Sequence, residues 1–177
     1  KVNITVQAML ERIQHRGPDG LHYYEQSYVA FGHARLSIID LSHDADQPMI
    51  DPLTGNVIVF NGEIYNYREL KAIIGARYQF TTSSDTEVIL AAYAVYGIHF
   101  LDHLRGMFAF ALYDKASGKV LLARDRFGIK PLYYRLQEGV ILFGSEIKAL
   151  LHSGNAPEAI NELKAYEFLA NCQLDTD

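Results

Sequence analysis

Met107-Phe108-Ala109-Phe110-Ala111-Leu112 is apolar at every position, without the alternation of a half-exposed strand. A strand of that kind has to be covered on both faces. Further strands are expected at Val57–Phe60, Lys119–Arg124, Leu132–Leu136 and Val140–Gly144, and the first run extends to Tyr113. Turn residues at Asp114–Gly118 and Gln137–Gly139 join them by connections too short for anything but antiparallel pairing. An antiparallel sheet enclosed on both sides needs helices outside it. The fold class expected is therefore α+β, a layered sandwich.

Helices of the right kind are present. Val6, Met9, Leu10 and Ile13 recur at i, i+3, i+4 and i+7, the stripe of an amphipathic helix. His15-Arg16-Gly17-Pro18-Asp19-Gly20 ends it with turn chemistry, and Leu21–Leu41 reads as two or three strands. Asn66-Tyr67-Arg68-Glu69 has the form of a capping box opening a helix to Ile74, and Ser84-Asp85-Thr86-Glu87 repeats it. The helix Thr86–Tyr96 is apolar nearly all round, so it should be buried before Gly97 stops it. Ser145–Leu151 and Ala159–Ala170 supply closing helices.

No repeat or low-complexity tract divides the 177 residues, which read as one domain. Hydrophobic residues at 49 % and charged ones at 21 % suit a folded globule and argue against disorder. A net charge of −5 argues against binding nucleic acid through phosphate neutralisation. The longest stretch without Asp, Glu, Lys or Arg, Val88–Leu101, falls short of the ~18 residues of a membrane span. Lys1-Val2-Asn3-Ile4 lacks an initiator Met and does not have the character of a signal peptide. Cys172 is the single cysteine, so neither an internal disulfide nor a cysteine-based zinc site is available. These features suit a reducing, cytoplasmic setting without membrane attachment.

Four polar clusters interrupt the apolar frame: His15–Asp19, Gly32–Ser37, Asn61–Tyr65 and Ser83–Glu87. Taken singly, each has an ordinary explanation. Asn61-Gly62 is the dipeptide most typical of a tight hairpin turn, and Ser84 or Asp85 can simply cap a helix. Arg35 can be a surface ion-pair partner of little energetic weight. His99 and His103 stand four residues apart without a third ligand, so no metal site is expected.

The wording of the clusters together is more specific. His15-Arg16-Gly17-Pro18-Asp19, Gly32-His33-Ala34-Arg35-Leu36-Ser37-Ile38, Asn61-Gly62-Glu63-Ile64-Tyr65-Asn66 and Ser84-Asp85-Thr86-Glu87-Val88-Ile89 resemble the glutaminase domain of class II glutamine amidotransferases. Arg105–Ala111, Arg124–Tyr134 and Ser145-Glu146-Ile147-Lys148-Ala149-Leu150 extend the resemblance toward the glutamine-hydrolysing asparagine synthetases. It runs from about His15 to Leu151. The resemblance implies the N-terminal-nucleophile hydrolase fold, a four-layer αββα sandwich of two antiparallel sheets between helical layers. It also implies release of ammonia from L-glutamine for the ATP-dependent amidation of aspartate by a synthetase domain.

Site residues follow by the same resemblance. The Asn61 side-chain amide and the Gly62 N–H would form the oxyanion hole. Arg35 would grip the α-carboxylate of glutamine, for which a guanidinium fork is suited. Asp85 would take the α-ammonium, its place at a helix N-terminus favouring the ionised form. The backbone around Leu36 and Ile38, with Glu63, would complete the pocket. The nucleophile implied is an N-terminal cysteine whose own α-amino group, with a reference pKa near ~8, acts as base.

That cysteine is not among residues 1–177, and it would lie several residues upstream of Lys1. Cys172, at the end of the last helix, reads as a packing residue rather than a substitute. The chain is accordingly expected to be a glutaminase domain lacking its extreme N-terminus, with the synthetase domain after Asp177. No cofactor or metal is expected in this half, and ATP and magnesium would belong to the synthetase domain. Expected partners are L-glutamine and that domain, and a homodimer is compatible. Two other readings stay open: a degenerate domain that binds glutamine or a partner without hydrolysis, and a sibling amidotransferase with another acceptor. The retained Asn61, Gly62, Arg35 and Asp85 weigh against degeneracy, which has no need of an oxyanion hole.

Overall fold

The structure, a computed structural model, describes residues 2–36, 43–137, 139–151 and 160–171. Its elements in chain order are helix α1 (Val2–Ile13), strands β1 (Gly20–Gln26), β2 (Val29–Arg35), β3 (Met49–Ile50) and β4 (Val57–Ile64), and helices α2 (Tyr67–Ile74) and α3 (Asp85–Tyr96). Then follow β5 (Gly106–Asp114), β6 (Lys119–Arg124), β7 (Tyr133–Gln137), β8 (Val140–Gly144), α4 (Ile147–Leu151) and α5 (Glu162–Asn171).

The central sheet has the order β3-β4-β5-β6, antiparallel throughout. Its β5 strand carries the continuous apolar run, and both faces of that strand are covered as expected. On one face Ile58, Phe60, Phe108, Phe110 and Leu112 pack under α2 and α3, meeting Leu70, Ile74, Val88 and Ile89. On the other, Val57, Val59, Ala111 and Tyr113 meet Val29 and Phe31 of β2, with Phe143 of β8 beside them. Phe31 and Phe143 stand edge to face with centroids 5.7 Å apart. Beyond this second strand layer, α1 lies on β2 and against α4, which also packs on β7 and β8. The layers thus run helix, sheet, sheet, helix.

Particular elements depart from expectation. The second strand layer is hydrogen-bonded as two hairpins, β1–β2 and β7–β8, rather than as one continuous sheet among the described residues. Asn61-Gly62 is not a hairpin turn. β4 continues through it to Ile64, with Asn61 opposite Ala109 and Gly62 opposite Phe108. Pairing with a long, fully buried partner outweighs local turn propensity here. Gly62 owes its identity to that partner, because a Cβ there would come 2.2 Å from the Met107 carbonyl oxygen. Asn66 does not cap α2 with its side chain. Its amide instead donates to the His103 carbonyl at 2.9 Å and accepts from the Arg105 N–H at 3.0 Å, tying α2 to the approach of β5. Ser84 does cap α3, accepting from the Thr86 N–H at 3.1 Å. Glu87 turns away from the cap, however, and accepts from the backbone and hydroxyl groups of both Thr81 and Thr82.

Candidate functional site

Strand alternation decides where the polar residues of β2 and β4 point. Phe60 and Ile64 send their N–H groups to the edge of β4 away from β5, where buried side chains meet them. Gln47 Oε1 accepts from Phe60 at 2.6 Å, and Asp85 Oδ2 accepts from Ile64 at 3.0 Å. Gly62 lies midway, so its N–H faces the same edge between the two captured donors. Asn61 is on the opposite parity and shares the face of Val57 and Val59, toward the second strand layer. Its Nδ2 is buried without a hydrogen-bond partner. Adjacent residues of β4 thereby present N–H donors, one toward the second strand layer and one at the strand edge, and fixed donors are what an oxyanion would need.

A cavity of about 1200 Å³ opens between the two strand layers. Asn61 and Gly62 form part of one wall, while Phe31, His33 and Phe143 contribute to another and Leu10 of α1 closes the outside. Arg35 ends β2 on the same face as Phe31 and His33. It is 7 % exposed, and its Nη1 donates to the carboxylate of Asp46. The surface-pair reading of Arg35 therefore fails on burial. Asp46 is itself a junction, with His43 Nδ1 at 3.2 Å and His22 Nε2 at 3.9 Å.

The loop before β1 holds the end of β2 in place. Asp19 donates its N–H to the Arg35 carbonyl at 3.1 Å. Gly17 lies so close that a Cβ would sit 2.1 Å from the carbonyl carbon of Ala34. The same loop is clamped from behind: His15 and Arg16 reach Glu146 Oε1 at 3.0 and 3.1 Å, and Lys148 reaches its Oε2 at 2.9 Å. Lys148 foremost, then Arg16 and His15, hold the Glu146 carboxyl down near about 2 against the effect of burial. The first polar cluster is thus an anchor for Arg35.

Asp85 is buried at the start of α3. Burial pushes its carboxyl above the ordinary range. The N–H groups of Ile64, Asp85 and Thr86 pull it back only in part, and neighbouring Glu63 adds to the rise. The helix N-terminus alone does not set its state, contrary to the sequence expectation. A cation arriving beside it would favour ionisation. Glu63 and Leu36 are exposed at the rim. Ile38 and Cys172 lie outside the described residues.

The structure places Asn61, Gly62 and Leu36 on the cavity, Asp85 on the Ile64 N–H two residues along β4 from Gly62, Arg35 against Asp46 at the end of β2, and Glu63 exposed. It also places Asp46, Gln47 and His33 here, which the sequence reading did not single out. His33 was open to detection, since it stands two residues before Arg35 on a strand. Asp46 and Gln47 come from a stretch without periodicity and carried no signal. His99 lies 4.0 Å from Asp102 and His103 stacks on Tyr96, so the two histidines have separate partners. Among the described residues no cluster of three or more metal-ligating side chains occurs, and no helix is long and apolar enough to cross a membrane.

The His33 ring titrates far from its usual range. Burial foremost, with the positive charges of His22 and Arg35, lowers its pKa from 6.5 to about 4. The unfolded chain therefore takes up a proton between those values that the folded chain refuses. Stability is full above pH 6.5 and is lost as pH falls toward 4, by at most about 3 kcal/mol. Asp85, held up, works in the opposite direction. The urea midpoint is expected to drop between about pH 7 and pH 5, and to drop less in His33→Phe. An equal drop in both proteins would remove His33 as the cause.

Known proteins resemble the chain in sequence and in fold. The family described as "Glutamine amidotransferase domain" matches residues 1–177. The chain is 44 % identical over 156 residues to "Asparagine synthetase [glutamine-hydrolyzing] 2" of Bacillus subtilis, covering 88 % of this chain and 21 % of that protein. It is 48 % identical over 140 residues to "Asparagine synthetase B [glutamine-hydrolyzing]" of Escherichia coli, covering 78 % and 25 %. A Gibberella zeae protein named "Amidase chry2" is 43 % identical over 155 residues, with 86 % and 23 % covered. The chain spans about a quarter or less of the length of these relatives. Among solved structures, glutamine phosphoribosylpyrophosphate amidotransferase of B. subtilis superposes with a TM-score of 0.73 at 22 % identity, covering 85 % of this chain and 41 % of that one. That likeness establishes the fold.

Proposed function

Because the chain belongs to the glutamine amidotransferase domain family, we propose that it hydrolyses L-glutamine to glutamate and ammonia. The ammonia would serve the ATP-dependent amidation of aspartate to asparagine in a synthetase domain outside residues 1–177, where ATP and magnesium would act. The observation that carries the reading is the pair of donors on β4. Asn61 Nδ2 is buried without a partner, and the Gly62 N–H stands between two N–H groups that are already taken.

A carboxamide resists attack, and the nucleophile proposed is the thiolate of a cysteine outside residues 1–177, as the resemblance implies. Its attack on the glutamine side-chain carbonyl forms a tetrahedral oxyanion held by the two donors. Ammonia leaves, and water opens the resulting γ-glutamyl thioester. Arg35, whose guanidinium also donates to Asp46, takes the α-carboxylate, and Asp85 takes the α-ammonium. Burial of both makes each contact stronger than its exposed counterpart. The protein is proposed to work in the cytoplasm.

Ammonia release from glutamine by the full-length protein tests the reading. Arg35→Ala is expected to raise the glutamine KM roughly ten- to a hundredfold, the loss of one charged hydrogen-bonded contact. Melting should change far less, because Asp46 stands at the solvent edge and can be hydrated. An unchanged KM would remove Arg35 from the binding site.

A further inference from the structure

His33 and Asn61 face each other's layer across the cavity, and each brings one buried polar atom that nothing satisfies: His33 Nδ1 and Asn61 Nδ2. The two atoms are complementary in kind. An amide nitrogen can only donate. The ring's character follows from its neighbours. The Phe60 backbone acts on the ring and favours its protonated nitrogen, and the Phe60 N–H is already given to Gln47 Oε1. The group left for the ring is the Phe60 carbonyl, which takes the single N–H of a neutral imidazole. Nδ1, without a partner, is then a bare acceptor beside the Phe60–Asn61 peptide. Lowering of its pKa to about 4, chiefly by burial, keeps it an acceptor at neutral pH.

A buried donor and a buried acceptor on one cavity, both unsatisfied, call for a group that carries an acceptor and a donor side by side. A primary carboxamide is such a group. We propose that His33 reads the –NH₂ of the glutamine side chain, accepting from it at Nδ1 while Asn61 Nδ2 donates to the carboxamide oxygen. This rests on the glutaminase reading of the site and adds to it a specificity residue. Glutamate offers only acceptors at that end, so its carboxylate would set an oxygen lone pair against that of Nδ1. The same contact that selects the substrate thereby disfavours the product.

The test is calorimetric titration of the chain with L-glutamine and with L-glutamate. The unsubstituted chain is expected to prefer glutamine. His33→Leu keeps apolar bulk and removes the acceptor, and the preference should fall by about ten- to a hundredfold, chiefly through weaker glutamine binding. His33→Asn, whose amide oxygen can occupy the place of Nδ1, should retain it. Nitrogen-15 spectra of the histidine-labelled, unsubstituted chain supply a readout that needs no substitution. The His33 Nδ1 resonance should shift toward that of a hydrogen-bonded acceptor with glutamine and stay in place with glutamate. A wild-type preference in His33→Leu, or an Nδ1 signal unmoved at saturating glutamine, would overturn the inference and leave the glutaminase reading standing. An ordered water bridging the two atoms gives that result. A chain that binds neither amino acid overturns both.

Discussion

Replacing Asn61 by alanine should cut the turnover of glutamine by roughly a hundred- to a thousandfold, the usual cost of one oxyanion donor. The glutamine KM should rise far less, by the lost contact to the carboxamide oxygen alone, because the amino-acid end of the substrate is held elsewhere. The fold should survive, since Asn61 Nδ2 makes no hydrogen bond within the chain and the residue lies beside a cavity. Steady-state ammonia release by the full-length variant, with a thermal melt beside it, separates these outcomes. An unchanged turnover in a folded variant would take the oxyanion away from Asn61. A collapsed melting temperature would make Asn61 a structural residue.

Asp125→Ala should cost about 3–5 kcal/mol of stability, the largest effect expected away from the site. Asp125 is buried, and its carboxylate accepts the backbone N–H groups of Phe108, Phe127, Ile129 and Lys130 at 3.2, 3.2, 2.9 and 3.0 Å. Alanine would strand these donors together and release the 125–130 loop from β5. Burial raises the Asp125 carboxyl, but the four donors outweigh it and the net direction is down. Its stabilisation is therefore present above the ordinary carboxylate range and lost as pH falls through the lowered value. Urea unfolding at neutral pH measures the loss. A change of a few tenths of a kcal/mol would show that the loop holds itself.

Both residues bear on what could be read in advance. β5 was legible because burial on two faces writes an unbroken apolar run, and α3 was legible for the same reason. The failures came where a distant partner decides. Asn61-Gly62 has a turn's composition, yet β5 stands along it and the Met107 carbonyl leaves no room for a Cβ at Gly62. Asn66 has a cap's composition, but the approach to β5 takes its amide. Arg35 and Asp85 became candidates through the wording of motifs and a resemblance, and not through any local physical signal. Gln47 could not be found so. Its role consists of one bond to Phe60 and another to Thr86 at 3.3 Å, neither encoded near position 47. Asp125 shows the same limit, since one of its four donors comes from β5.

The outer edge of β4 has a consequence for the solubility of the protein. Beyond the two residues paired with β3, an exposed edge would offer its N–H row to any extended segment, and unguarded edges of that kind recruit other chains into aggregates. Here Gln47 and Asp85 occupy alternate donors and leave only the one at Gly62. A single free N–H can bind an anion but cannot template a strand. The residues that isolate this one donor thus also guard the edge against strand addition.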